Sequence, residues 1–428
     1  MFWLVESQEQ YEQLDFYLGP EIFVHPIKIH PDIHPAVAAP IALYIKDVQQ
    51  EKGYLINFSH PEALQIDRQV VKQYLTKFSK VFTVDKKALN YYYINNNCFD
   101  LNLCSYKELP DTTTAQTVYY QKYAEVAELN YIVPIVKHFE YCENIFQSYK
   151  PVIKDYEFNP YMSDLSNVFW MIEKEGLRVS TNFSEVFPIE RQFLHKVNSK
   201  VYTQYNLNTT TGRPSNTFNS LNFAALKKED GSRAVFIPKN DFLMEIDLTA
   251  YHPTLIGKLL SYESPTGDIY EDFAAAYGME RTEAKGMVFR QLYGNIYDQY
   301  KDFELFKGLS AEIKLNWEKF MTTGEIKGYV SNQVFKTKDL GENMNPQKLF
   351  NYMIQNLETA YNVGLLKNIL HITNNTQSKV VLYTYDAILL DVKKEEKQEI
   401  KQILEVFDKN KLKIKVSYGP NYNSLRPL

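Results

Sequence analysis

Long apolar runs are missing from this sequence. No stretch of the 428 residues reaches the ~18 apolar residues of a membrane span, so no membrane partner is expected. The N-terminal Met1-Phe-Trp-Leu-Val-Glu-Ser has neither the basic start nor the small-residue cleavage site of a secretory signal, and a cytoplasmic location is expected. Cysteine is scarce. Cys98, Cys104 and Cys142 are odd in number and match no metal-binding spacing, which fits reduced thiols. Internal repeats and low-complexity linkers are lacking too. A net charge of −5 argues against a uniformly basic surface. Basic charge is concentrated instead between residues 191 and 240, where Arg191, Lys196, Lys200, Arg213, Lys227, Lys228, Arg233 and Lys239 face only Glu229 and Asp230. Such a stripe suits nucleic acid, and a solvated charged face has the same composition.

What is present is ordinary for a globular protein: 45% hydrophobic and 23% charged residues, in a chain long enough for two or three domains. Residues 1 to about 105 read as mixed α/β. Ile41–Lys46 and Tyr54–Phe58 are strand-like around a turn at Gln49–Gly53, and Asp67–Phe78 is helical. His25, His30 and His34 lie in a proline-rich segment without regular ligand spacing, so no metal is expected there. Helical patterns follow at Ala115–Tyr149, Asp164–Gly176 and Arg191–Tyr205, with a connector at Pro151–Pro160. Further helices are expected at Tyr270–Tyr277, Arg281–Tyr293, Ala311–Met321 and Pro346–Leu370. A hairpin is expected at Lys379–Val392, then a charged helix from Lys394 and a strand at Leu412–Ser417.

The stretch Met244–Ile256 begins as an apolar strand, ends it with Asp247 and turns into a helix. An acid there either caps the helix or stands fixed and open to solvent as a metal-holding group. A second acid, Asp386, sits at the turn of the later hairpin. Two carboxylates completed by substrate phosphates suit Mg²⁺, and a pair of such ions serves phosphoryl displacement. Between the acids, Arg281, Lys285, Phe289 and Tyr293 recur every four residues and share one helix face. Two cations followed by two aromatics suit a nucleotide: Arg281 and Lys285 on the triphosphate, Phe289 and Tyr293 on sugar and base. The same spacing also describes an ordinary amphipathic helix.

The order of these motifs resembles the family A DNA polymerases. Thr211-Gly-Arg-Pro-Ser is similar to T-G-R-x-S, Asn219–Asn222 to N-L-Q-N, Gly231–Pro238 to the basic strand that follows, and Gly267–Ala274 to G-x-D-I-H with Tyr270 for His. Arg281, Lys285, Phe289, Tyr293 and Gly294 match R-x-x-x-K-x-x-x-F-x-x-x-Y-G, Asn351–Gln355 resembles N-x-P-x-Q, and Tyr385-Asp386-Ala387 resembles H-D-E. Trp170–Ser180 is similar to the segment that opens the polymerase domain. The set runs from about residue 163 to 392.

The resemblance implies an α/β (α+β) right-hand polymerase with palm and fingers and a shortened thumb, plus an N-terminal ribonuclease H-like, exonuclease-type domain. The expected divisions are 1–110 (degenerate exonuclease-like), 111–210 (helical connector and reduced thumb) and 211–428 (palm and fingers, the fingers about 256–340). It implies catalysis by Asp247, Asp386 and Lys285, with Asp247 and Asp386 on two Mg²⁺ ions that Mn²⁺ can replace. It also implies nucleotide contacts from Arg281, Lys285, Phe289, Tyr293, His252 and Tyr270, and DNA contacts from Arg213, Asn222, Arg233 and Gln355. Primer-template DNA and deoxynucleoside triphosphates are the implied partners, with a processivity or replisome partner to make good a weak grip. The compact size suggests a phage or other mobile element.

The sequence also departs from that family. His252 stands at the sugar-gate Glu, and Ala387 replaces the acid after Asp386. Only residues 182–210 stand where the family has a long thumb. Imidazole carries a donor and an acceptor where Glu carries only acceptors, so weaker rejection of ribonucleotides is expected. Near the N-terminus, Cys98-Phe-Asp-Leu-Asn-Leu resembles part of the exonuclease fold, yet Ile22-Phe-Val-His-Pro-Ile stands where D-x-E belongs, so no proofreading is expected. A single-subunit RNA polymerase shares Asp247, Arg281, Lys285, Tyr293 and Asp386, and a non-catalytic nucleic-acid-binding relative is the third reading.

Overall fold

The structure, a computed structural model, describes residues 2–93, 97–104, 129–188, 195–217, 220–341 and 343–428. The chain forms two compact units, Met1–Tyr205 with Asn216–Asn222, and Asn206–Ser215 with Phe223–Leu428.

The first unit is built on a six-stranded sheet, in spatial order Phe2–Val5, Gly53–Asn57, Ala42–Asp47, Glu21–Ile27, Lys80–Thr83 and Cys98–Asp100. Glu21–Ile27, Ala42–Asp47 and Gly53–Asn57 pair antiparallel, whereas Lys80–Thr83 and Cys98–Asp100 continue parallel to Glu21–Ile27. The sheet is therefore mixed, as expected for an α/β domain. Ala42–Asp47 and Gly53–Asn57 are buried throughout, as strands covered on both faces must be. Alternation sends Val24, Ile45 and Ile56 to one face, with Val71 and Tyr74, and Phe23, Tyr44 and Leu55 to the other, with Phe139 and Phe146.

Two expected elements differ. Part of Ala115–Tyr149 lies outside the described residues; beyond it a helix runs Ile135–Lys154, through Pro151. An internal proline costs about 3 kcal/mol, and burial of Tyr149 and Ile153 in the core offsets it. The expected helix at Arg191–Tyr205 begins outside the described residues, and its described part is a hairpin instead. Lys196–Val197 pairs with Lys200–Val201 around Asn198, whose φ of 54° suits Asn at a tight turn. Within residues 182–210, no long helix pair occurs among the described residues. The helix Pro160–Glu173 is capped by Asn159 and buries Leu165, Val168, Phe169 and Ile172, the stripe the sequence shows.

The second unit centres on an antiparallel sheet in the order Lys379–Thr384, Ala387–Val392, Phe242–Leu248, Ile414–Gly419, Arg426–Pro427. Its helices include Tyr251–Leu259, Ile269–Tyr277, Arg281–Tyr293, Glu304–Thr323, Lys397–Lys409 and a long one at Pro346–Thr373. Asn345 caps the long helix, accepting the Lys348 N–H at 2.9 Å, and Pro346 sits in its first turn, where a missing N–H costs nothing.

Candidate active site

Asp247 lies on the central strand, directly opposite Ala387 on one neighbour and Lys415 on the other. It does not cap the following helix. Ala250 occupies that position with a φ of 51° and no side-chain capping bond, so the Asp247 carboxylate remains for other work. Asp386 sits beside it in the two-residue turn between Thr384 and Ala387, and its carbonyl accepts the Leu248 N–H at 2.8 Å. Burial pushes the Asp247 carboxyl above the usual range, while Lys415 and Lys285 pull it down. Burial also raises Asp386, and the negative charge of Asp247 raises it further. Glu245, two residues before Asp247 on the same strand face, is raised by burial and hydrogen-bonds Tyr422. Among the described residues, no three His, Cys, Asp or Glu side chains cluster for a metal. Two mutually repelling, oxygen-only ligands fit a hard divalent cation whose remaining ligands are substrate phosphates and water.

The helix Arg281–Tyr293 buries Ala284, Val288, Gln291 and Leu292 and turns the motif residues outward. Phe289 and Tyr293 are left 37% and 36% exposed, a place where an ordinary amphipathic helix would carry polar side chains. Their rings stack at 5.7 Å. Lys285 is exposed and within electrostatic reach of Asp247. Arg281 is tied down instead: its Nη2 and Nε donate to Asp268 Oδ2 at 2.7 and 3.1 Å. Asp268 also caps the helix Ile269–Tyr277, accepting the Tyr270 N–H at 2.9 Å. Tyr270, expected at the nucleotide, is only 1% exposed and packs beneath Phe289. It supports the aromatic row from behind.

The long helix carries the residues that sequence reasoning missed. Among the polar side chains that interrupt its apolar face are Asn356, Glu358 and Asn362, each about 1% exposed. Asn362 accepts from the Tyr251 hydroxyl at 2.7 Å and donates to the Tyr383 hydroxyl and the Tyr385 carbonyl at 2.8 and 2.9 Å. It thereby clamps the turn that carries Asp386, where Tyr385 has a φ of 62°. Asn356 donates to Thr211 O and Gln333 Oε1, and Gln333 donates to Thr210 O, which pins the Thr211-Gly-Arg turn. Glu358 accepts from Arg213 Nη2 at 3.1 Å and from His252 Nε2 at 3.1 Å, while the other ring nitrogen of His252 bonds the Tyr293 hydroxyl. Both nitrogens of His252 are thus committed, which removes the free donor that ribonucleotide tolerance was expected to use. Buried polar residues inside an otherwise apolar helical stretch were the signal that could have found these three.

The expected DNA-contact residues are dispersed. Arg213 stacks on Tyr385 with its guanidinium 3.8 Å from the ring centre. Arg233 donates to the Leu226 carbonyl and lies over Tyr422, held by its own loop. Gln355 is half-buried one turn before Thr359, and Asn222 is exposed in the first unit. Arg191 and Asn219 lie outside the described residues. In the first unit, Phe23 and Val24 are fully buried where an acidic pair was looked for. Burial and the charge of Asp85 raise the carboxyl of Asp100 to about 7, although it accepts the N–H groups of Lys86 and Asn102. The expected reduced thiols Cys98 and Cys142 are buried and unbridged. No described helix is long and apolar enough to cross a membrane.

No protein-family model matches the chain, and no curated protein matches it. Among solved structures, it is similar to the polymerase domain of Pol1 from M. smegmatis, determined in complex with a DNA primer-template and dNTP. The TM-score is 0.70 at 13% identity, over 99% of this chain and 100% of that one. That likeness shows an α/β polymerase fold.

Proposed function

We propose that the chain is a template-directed DNA polymerase of family A type, which adds deoxynucleotides to a primer 3′-hydroxyl. The observation that carries this reading is Asp247 and Asp386 on adjoining strand ends, together with a helix whose outward face is Arg281, Lys285, Phe289 and Tyr293. A scaffold protein has no use for two repelling carboxylates side by side, Asp247 half-buried and Asp386 open to solvent. In this reading residues 211–428 form palm and fingers, the fingers about 256–340. Residues 111–210 form the connector and reduced thumb, and 1–110 an exonuclease-like domain without its chemistry.

Asp247 and Asp386 would hold divalent cations, Mg²⁺ or Mn²⁺, which when bound lower the pKa of an attacking hydroxyl and neutralise phosphate charge. Lys285 binds the triphosphate and neutralises charge on the departing pyrophosphate. Arg281 joins it once its guanidinium exchanges Asp268 for phosphate, a like-for-like swap of oxyanion partners. Phe289 and Tyr293 offer ring faces to base and sugar. Arg213 and Gln355, with Asn222 and Arg233, contact primer and template where minor-groove acceptors are common to all base pairs.

The test is extension of a labelled primer on a DNA template in Mg²⁺, with dNTPs and NTPs supplied separately. Extension with dNTPs supports the proposal. Extension only with NTPs points to an RNA polymerase, and none with either, despite DNA binding, to a non-catalytic relative.

A further inference from the structure

Glu358 is an expensive residue in its position. It is 1% exposed on the long helix, and a carboxylate taken out of water costs several kcal/mol unless partnered. Its partners are unusual in what they join. Arg213 donates from Nη2 to Oε1; its Nε lies 3.0 Å from Oε2, but that N–H is not directed along the line, so the fork has one directed bond and one charge contact. On the other side, Oε2 faces His252 Nε2 at 3.1 Å.

A carboxylate only accepts, so the His252 proton sits on Nε2. In the neutral ring Nδ1 is then the acceptor, and the Tyr293 hydroxyl is the donor that meets it. One chain of contacts therefore runs from Tyr293 through His252 and Glu358 to Arg213, which stacks on Tyr385 next to Asp386.

Tyr293 lies eight residues beyond Lys285, about 12 Å along the helix. That distance separates the phosphates of a bound nucleoside triphosphate from its sugar and base. The ring of Tyr293 and the imidazole behind it thus form a wall at the sugar. The wall keeps its position only while the imidazole keeps its tautomer, and Glu358 sets the tautomer.

We propose that Glu358 is a positioning residue for sugar selection. By fixing the His252 tautomer it locks Tyr293 and leaves neither space nor a free ring nitrogen for a ribonucleotide 2′-hydroxyl. The inference rests on the polymerase reading above and deepens it: the substrate is a deoxynucleotide, and the selecting group is governed from the long helix.

Glu358→Gln is the decisive substitution. It keeps shape and volume, but once its amide oxygen faces Arg213 its NH₂ faces His252. The ring must then accept at Nε2 and carry its proton on Nδ1, where it no longer takes the Tyr293 hydroxyl proton. The expected result is at least a tenfold fall in the ratio of kcat/KM for dNTP over rNTP, and a change of the His252 ring ¹⁵N shifts to the other tautomer. Tyr293→Phe removes only the hydroxyl from the exposed end of the chain and is expected to lower the ratio comparably even if Glu358→Gln folds poorly. The double variant should lose no more than the larger single loss, as coupled residues do. A ratio within twofold of wild type in both single variants, or losses that multiply, overturns the proposal. Ring shifts that are the same in wild type and Glu358→Gln overturn it whether or not the protein is active. Wild-type protein that extends with neither nucleotide overturns the polymerase reading as well, so the two failures are told apart.

Discussion

Gly212 in the Thr211-Gly-Arg turn has a φ of +71°, and so does Gly231, at +73°, elsewhere in the same unit. The two differ in what surrounds them. A Cβ at Gly231 would meet nothing within 4 Å. At Gly212 it would stand 2.7 Å from Asn356 Nδ2 and closer still to Gln333 Oε1. Alanine in the left-handed region costs about 1–2 kcal/mol, less the ~0.4–1 kcal/mol gained by stiffening the unfolded chain. Gly231→Ala should therefore destabilise by about 1 kcal/mol. Gly212→Ala carries the same cost and must also part the Gln333 and Asn356 amides, which bond each other at 2.6 Å and hold the Thr210 and Thr211 carbonyls. Leaving two or so buried amide groups unpaired adds about 2–4 kcal/mol, for a total of roughly 3–5 kcal/mol. In a unit of about 200 residues, 1 kcal/mol shifts Tm by roughly 2–4 °C. Calorimetry of the two variants should thus show a drop of a few degrees for Gly231→Ala and roughly 6–20 °C for Gly212→Ala. Equal drops would refute the claim that the turn is closed by the two amides.

Asn362→Leu should release the Tyr385 turn, with a primer-extension kcat at least tenfold lower and a Tm several degrees lower, because the Tyr251 and Tyr383 hydroxyls and the Tyr385 carbonyl lose their buried partner; an unaltered kcat would show that the turn holds itself. The purified protein should not shorten a mismatched, labelled 3′ end in Mg²⁺ or Mn²⁺, because Phe23 and Val24 fill the strand where acids would bind metal; metal-dependent shortening lost on deleting residues 1–105 would contradict this. Binding to primed DNA should be short-lived and steeply salt-dependent, each neutralised phosphate contributing about −0.9 to the log–log slope; highly processive synthesis without an added partner would contradict the short thumb.

Much of the site was legible because its signals are local. The strand ending in Asp247, the four-residue spacing from Arg281 to Tyr293 and the hairpin around Tyr385-Asp386 each follow from a few adjacent residues, and the second unit keeps all three. What was not legible depends on partners far apart in the chain. Glu358 reads as one more charge on a helix until Arg213 and His252 are folded against it. Arg281 reads as a free cation until Asp268 is seen to hold it. Tyr270 reads as a nucleotide contact until the pairing of two helices buries it under Phe289. In the first unit, the hairpin Lys196–Val201 turns on a single left-handed Asn198, too small a signal to compete with a helical pattern, and Pro151 stays helical because the core on either side of it outweighs its local cost.

The central claim is that Asp247 and Asp386 perform chemistry and do not serve the core. Burial raises the pKa of both carboxyls despite the pull of nearby cations, so on balance neither charge adds to folding stability and Asn at either position should leave Tm within a few degrees of wild type. Single-nucleotide primer extension in Mg²⁺ by Asp247→Asn and Asp386→Asn is therefore the most direct measurement. The expected result is at least a hundredfold loss of rate in each, about 2.7 kcal/mol or more of transition-state stabilisation, with folding and DNA binding retained. A variant of either residue that keeps more than about a hundredth of the wild-type rate would contradict the claim.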